Sequence, residues 1–127
     1  MKKIIKTPKA PAPIGPYNQA VLAGNTLYVS GQIALDPATG ELLNGSIEEE
    51  THLVMKNLEA LLAAAGADFT QVVKSTIFVK DMGQFAQINQ VYGAYFDADD
   101  APARETVEVA NLPKYVNVEI SVIAVVE

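Results

Sequence analysis

The sequence contains no cysteine. That excludes disulfides, thiolate metal sites and a cysteine nucleophile, and it fits a reducing compartment. Histidine occurs once, at His52, so no serine–histidine triad is built from the distant serines, and His52 is expected to be exposed and inert. Charge is sparse at 19%, and Asp+Glu (15) outnumber Lys+Arg (9), for a net charge of -6. A chain with this balance and no basic run is poorly suited to nucleic acid or to an anionic membrane surface, so neither is expected as a partner. A small anionic ligand remains compatible, because one arginine can dominate a local field. Long apolar runs are missing too, and nothing approaches a membrane span. The basic start, Met1 to Lys6, is not followed by a signal-peptide core, because Pro8, Lys9, Pro11 and Pro13 interrupt it. The expectation is a soluble, cytoplasmic protein, in which the sequon Asn44-Gly45-Ser46 carries no weight. No Walker or dinucleotide glycine motif is present. Asp97, Asp99 and Asp100 lack the spacing of a calcium loop.

What the chain does have is apolar material. Half of its 127 residues are hydrophobic, enough for the core of one domain spanning residues 1–127. Residues 3–7 read as a short edge strand, followed by an extended segment punctuated by Pro8, Pro11, Pro13 and Pro16 that delivers Tyr17 to a fixed place. Residues 18–23 and 26–31 read as strands joined by the two-residue turn Gly24-Asn25. Residues 46–65 carry the clearest helical signal. Ser46 and Glu49 have capping-box spacing, Glu48 to Glu50 complement the helix dipole, and Val54, Met55, Leu58, Leu61 and Leu62 belong to one apolar stripe ending before Gly66. Residues 69–80 read as a strand. Asp81 then caps a second helix whose stripe runs Phe85, Ile88, Val91, Tyr92, Tyr95, Phe96. Residues 116–126 form a last strand, apolar on both faces in its second half, which calls for cover on both sides. Two helices cover one face of such a sheet and nothing remains for the other. An α+β fold of about six strands with a bare, half-apolar face predicts self-association.

Between the acidic loop 97–100 and that last strand lies Pro102-Ala103-Arg104-Glu105-Thr106-Val107-Glu108-Val109-Ala110-Asn111-Leu112-Pro113-Lys114. Strand alternation puts Arg104, Thr106 and Glu108 on one face, with Val107 and Val109 behind them as an apolar support. Arginine opening such a strand is a candidate clamp for a planar carboxylate. If the turn near residues 112–115 closes a hairpin, Glu108 comes opposite Glu119 and Thr106 opposite Ser121, giving one shared polar face. Two near-opposed carboxylates there would repel unless a nearby arginine or a raised pKa offsets them.

Several blocks, taken together, resemble the RidA (YjgF) family of reactive-imine deaminases. They are Ala12-Pro13-Ile14-Gly15-Pro16-Tyr17-Asn18-Gln19-Ala20, Tyr28-Val29-Ser30-Gly31-Gln32-Ile33, Asn89-Gln90-Val91-Tyr92 with Tyr95-Phe96, and Pro102 to Lys114 followed by Val118-Glu119-Ile120. They stand in family order and cover nearly the whole chain. The resemblance implies a chorismate-mutase-like fold, a homotrimer with clefts between subunits, and hydrolysis of 2-iminobutanoate or 2-iminopropanoate and their enamines to 2-oxoacids and ammonia, without metal or cofactor. It implies that Arg104 binds the substrate carboxylate, that Glu119 positions water, that the Tyr17 hydroxyl lies at the cleft, and that Ser30, Gly31, Asn89 and Thr106 line it. Thr106 stands where many bacterial members have cysteine, which removes thiol-based regulation but not the hydrolysis. The alternatives are a non-catalytic, chaperone-like trimer binding small carboxylates, which the absence of a strongly activated nucleophile favours, and the RNA-acting translation inhibitor of the family's labels, against which the net charge of -6 and the single histidine count.

Overall fold

The computed structural model describes residues 2–127. Six strands form one mixed sheet: β1 (Lys2–Ile5), β2 (Ala20–Ala23), β3 (Thr26–Gln32), β4 (Val72–Val79), β5 (Ala103–Glu108) and β6 (Val118–Val125). Their spatial order is β1-β2-β3-β6-β4-β5. Two helices, α1 (Ile47–Ala64) and α2 (Phe85–Gly93), pack on one face, so the α+β architecture with two helices on one side is as expected.

Local chemistry accounts for most element ends. Ala23 pairs with Thr26, which leaves Gly24 and Asn25 as the hairpin loop, and Gly24 takes a φ of +62° that a side chain would resist. Ser46 caps α1, its hydroxyl accepting from the Glu49 N–H at 3.1 Å. The reciprocal half of the predicted capping box is not made; the Ser46 hydroxyl instead donates to the Glu49 carboxylate at 3.4 Å. Gly66, with φ +76°, ends the helix. Asp81 does act as a cap, but of a short 3-10 turn, Met82–Gln84, that precedes α2. α2 stops at Gly93, so Tyr95 and Phe96 reach the core from the turn beyond it, where both rings pack on Phe69.

The core lies between α1 and the centre of the sheet. Val54, Met55, Leu58, Leu61 and Leu62 are fully buried against Leu27, Ile77, Ile120 and Ala124, each side chain contributing about 1.5–3 kcal/mol on burial. Glu50 corrects the reading of the acidic first turn. It is fully buried, and its carboxylate accepts from the Asn117 N–H and Nδ2 at 2.8 Å each and from the Val118 N–H at 3.2 Å. It ties α1 to the start of β6 rather than complementing a dipole in solvent.

The predicted final hairpin does not form. β5 runs parallel to β4, with Arg104 paired to Ser75 and Thr106 to Ile77, while β6 is antiparallel to β4 and lies between it and β3. Glu119 therefore faces Phe78, and Ser121 faces Thr76. The physical reason lies in the crossover: β4, α2 and β5 form a unit that docks β5 beside its own β4. The doubly apolar β6 fills the centre, and β5 becomes an edge.

The face opposite the helices is covered only in part. Ile33, Leu35, Leu112 and Val116 make a second small cluster at one end, with Phe78 and Val109 packed against it. Beyond it Tyr28 is 50% exposed and Val107 43%. Val107 is thus no buried support for Arg104; it lies on the uncovered side of an edge strand.

Candidate functional site

Two separate groups of candidate residues emerge. The first lines a cavity of about 360 Å³ bounded by Tyr17, Ser30, Gly31, Glu119, Pro113 and apolar side chains that include Ile14 and Ile33. Its outer wall is the proline segment. Gln19, nearly buried, pins that segment: its Oε1 accepts from the Thr7 N–H at 2.8 Å, and its Nε2 donates to the carbonyls of Thr7, Ala10 and Pro11 at 3.0, 3.1 and 2.8 Å. Tyr17 ends the segment half exposed, its hydroxyl 3.5 Å from the Ile14 N–H. The Ser30 hydroxyl donates to the Asn18 carbonyl at 2.7 Å. That bond commits the Ser30 proton to holding the backbone next to Tyr17, so toward a ligand Ser30 can only accept.

Glu119 projects from β6 into this cavity. A methyl group at position 31 would overlap its Oε2, so Gly31 is where the carboxylate lies down. Gly31 has no left-handed φ; the close approach, not backbone freedom, calls for glycine there. Burial holds the Glu119 carboxyl above the usual carboxylate range, the condition of a group that can exchange a proton nearer neutrality.

The second group surrounds Arg104 on β5, in an open groove shared with Met82, Phe85, Glu105 and Thr106. Arg104 Nη1 donates to Asn89 Oδ1 at 2.6 Å. Its guanidinium carbon stands 5.5 Å from the Phe85 ring centre and 5.2 Å from that of Tyr92. Glu105 points to the other face and pairs with Lys74 at 3.3 Å. Thr106 Oγ1 is buried with no hydrogen-bond partner among the described residues. Glu108, expected opposite Glu119, instead accepts from the Met82 N–H at 2.8 Å and secures the turn that starts α2.

Tyr17, Ser30, Gly31 and Glu119 are thus brought together, and so are Arg104, Asn89 and Thr106, but the two sets do not meet within one chain. Arg104 shares the helix-side face with Ser75, whereas Glu119 lies on the opposite face, paired with a residue three positions further along β4. Two strand spacings alone set them about 10 Å apart. Sequence reading missed Gln19, Pro113, Phe85 and Tyr92 as members of these sites. The last two were visible only as a helix stripe, and nothing in their spacing distinguishes a ring that fills a core from one that flanks a guanidinium. Among the described residues no group of three or more His, Asp or Glu converges as a metal site, and no helix is long and apolar enough to cross a membrane.

The chain is similar to known proteins over nearly its full length. It is 49% identical over 125 residues to the rat protein named 2-iminobutanoate/2-iminopropanoate deaminase, covering 98% of this chain and 90% of that one. It is 50% identical over 124 residues to a RutC family protein of Pyrococcus horikoshii, covering 98% of each. Among solved structures, a protein of the Rid family from Yersinia pestis superposes with a TM-score of 0.96 at 46% identity, over 99% of this chain and 100% of that one. The profile of the family described as Endoribonuclease L-PSP matches residues 7–126, and with these relatives it shows that the chain belongs to that family, the one that includes the RidA proteins.

Proposed function

We propose that the protein hydrolyses reactive 2-imino acids, 2-iminobutanoate and 2-iminopropanoate with their enamine tautomers, to 2-oxoacids and ammonia, working as a single-domain homotrimer whose sites lie between copies. The observation that carries this reading is the division of the candidate residues. A carboxylate with a raised pKa sits in an apolar cavity that no cation among the described residues lines, and an arginine bonded to protein only through Nη1 sits in a groove whose one carboxylate, Glu105, points away to Lys74. Each is half of a site for a small carboxylate substrate. The uncovered sheet face supplies the surface through which copies associate. The names of relatives near half identity, the rat protein among them, point the same way.

The chemistry asks little of the protein. The Arg104 fork holds the substrate carboxylate by two parallel hydrogen bonds. That leaves the iminium carbon, already electrophilic, facing the cavity of Glu119. Glu119 accepts a proton from a water molecule as its oxygen adds to that carbon. Glu119 returns that proton to the nitrogen of the resulting amino alcohol and then accepts the hydroxyl proton as the C=O forms, the C–N bond breaks and ammonia leaves, after which the carboxyl gives its proton to solvent. Orientation of water and substrate supplies most of the acceleration.

The test is to release 2-aminoacrylate from a serine dehydratase and follow decay of the imine. Wild-type protein should accelerate the decay, and Arg104→Ala should lose at least about 100-fold in kcat/KM with its carboxylate anchor removed. No acceleration by the wild type, or full activity in the variant, would defeat the proposal.

A further inference from the structure

The Arg104 side chain projects from an exposed edge strand, yet its guanidinium is held on two sides. Phe85 and Tyr92 each place a ring within cation–π distance of it, and Asn89 takes one Nη1 hydrogen. All three come from successive turns of α2, at spacings of four and three residues that put them on one stripe. Tyr92 is itself fixed. It is 4% exposed, and its hydroxyl donates to Ser75 Oγ at 2.8 Å, with Ser75 fully buried on β4 directly beside Arg104. Burial raises the Tyr92 pKa, outweighing the Ser75 hydrogen bond and the Arg104 charge that lower it, so the ring stays a neutral phenol. The Asn89 bond uses neither hydrogen of the edge formed by Nε–H and Nη2–H. That edge can engage a carboxylate with two parallel bonds.

We propose that Tyr92, with Phe85, is a positioning residue for the carboxylate clamp: the two rings hold the Arg104 guanidinium against α2 so that its Nε–Nη2 edge is presented to the ligand before binding. An arginine on an edge strand otherwise samples many rotamers, and each ligand would have to be bound at the expense of that freedom. The Ser75–Tyr92 bond sets the position of the second ring, so the alignment is traced back to the buried centre of the sheet. This inference rests on the deaminase reading for the identity of the ligand, and its consequence is specific: the rings affect how well a carboxylate binds, not how fast the bound imine is hydrolysed.

The experiment is calorimetry with 2-oxobutanoate, alongside KM and kcat for the imine, on wild type, Tyr92→Phe, Tyr92→Leu and Phe85→Leu. Tyr92→Leu and Phe85→Leu should each weaken 2-oxobutanoate binding and raise KM by about tenfold, with kcat changed less than about threefold. Tyr92→Phe keeps the ring and loses only its tether, so a smaller loss of about threefold is expected. In an Arg104→Lys background, where no planar fork is left to align, Phe85→Leu should change binding less than about twofold, because a residue acting through Arg104 has nothing further to act on. Tyr92 is buried, and if its leucine variant does not fold, Phe85→Leu and Tyr92→Phe carry the test. Unchanged binding in folded ring variants, kcat and KM shifting together, or an equal effect of Phe85→Leu with and without Arg104 would overturn the positioning role while leaving the deaminase reading intact. A wild type that binds no 2-oxobutanoate and hydrolyses no imine would overturn the deaminase reading, and this inference with it.

Discussion

Glu119 is held above the ordinary carboxylate pKa by burial alone, and this has a consequence for the fold as well as for chemistry. A carboxyl whose folded pKa exceeds its unfolded value binds its proton more tightly in the native state. Ionising it therefore lowers stability as pH rises from the ordinary value of 4.5 toward the raised one, and below 4.5 both states are protonated and the cost vanishes. Glu119→Gln should accordingly melt above the wild type at pH 7 and level with it below pH 4.5, while losing about 100-fold or more in kcat as the proposed base disappears. Melting curves across that range read the effect; a Tm difference independent of pH would show that the carboxyl is not strained by burial. Gly31 is the companion case. Its backbone is ordinary, and only the Glu119 carboxylate occupies the space that a Cβ would take. Gly31→Ala should leave thermal stability close to wild type, because the far end of a flexible side chain can move aside. Moving it displaces the proposed base, and kcat should drop by about tenfold to 100-fold.

At the scale of elements, the proline segment is kept in place by one side chain. Gln19 satisfies four backbone groups of residues 7–11 and so sets the wall that ends in Tyr17. Gln19→Ala leaves those groups without their partner and should lower unfolding stability by about 1–3 kcal/mol, measured by urea denaturation. Faster hydrogen exchange confined to residues 7–17 should accompany it. An unchanged exchange pattern would mean that the segment is held by packing instead. The elements themselves were legible in the sequence because their signals are local. The α1 stripe, Gly66, the Gly24-Asn25 turn and the alternation of β6 each act within a few residues. What was not legible was pairing. Whether β5 turns back on β6 or crosses to lie beside β4 depends on which strand occupies the centre of the sheet, and no residue in the 109–116 turn encodes that. Glu50 failed for a related reason. In sequence it is the third of three acids in a first helical turn, and its burial follows only from where Asn117 and Val118 come to rest. The candidate site residues, by contrast, were found through the company they keep across the chain, and their division into two groups is a product of the same unreadable topology.

That division has its largest consequence for the whole molecule. If Arg104 from one copy completes the cavity of Glu119 in another, a chain lacking one of these residues is rescued by a chain lacking the other. Arg104→Ala and Glu119→Gln are each expected to be nearly inactive alone. Co-expressed and assembled at random in a closed ring, about one quarter of interfaces carry both native residues, the others lacking one or both. The mixed preparation should therefore recover about 25% of wild-type kcat with unchanged KM. Substitution of the open sheet face gives the matching control. Ile123 and Tyr28 are cross-strand neighbours there, and Tyr28 is half exposed. Ile123→Glu places a charge on the face through which copies are proposed to associate, so light scattering should report monomers, with circular dichroism of a folded chain and no rescue on mixing. Absence of recovery in the mixture would overturn the shared-site reading, and recovery that persists in the Ile123→Glu background would mean that the copies associate through a surface other than the sheet face. The geometry favours the first outcome, because opposite faces of one sheet cannot bring the Arg104 fork and the Glu119 carboxylate onto a substrate only a few atoms long.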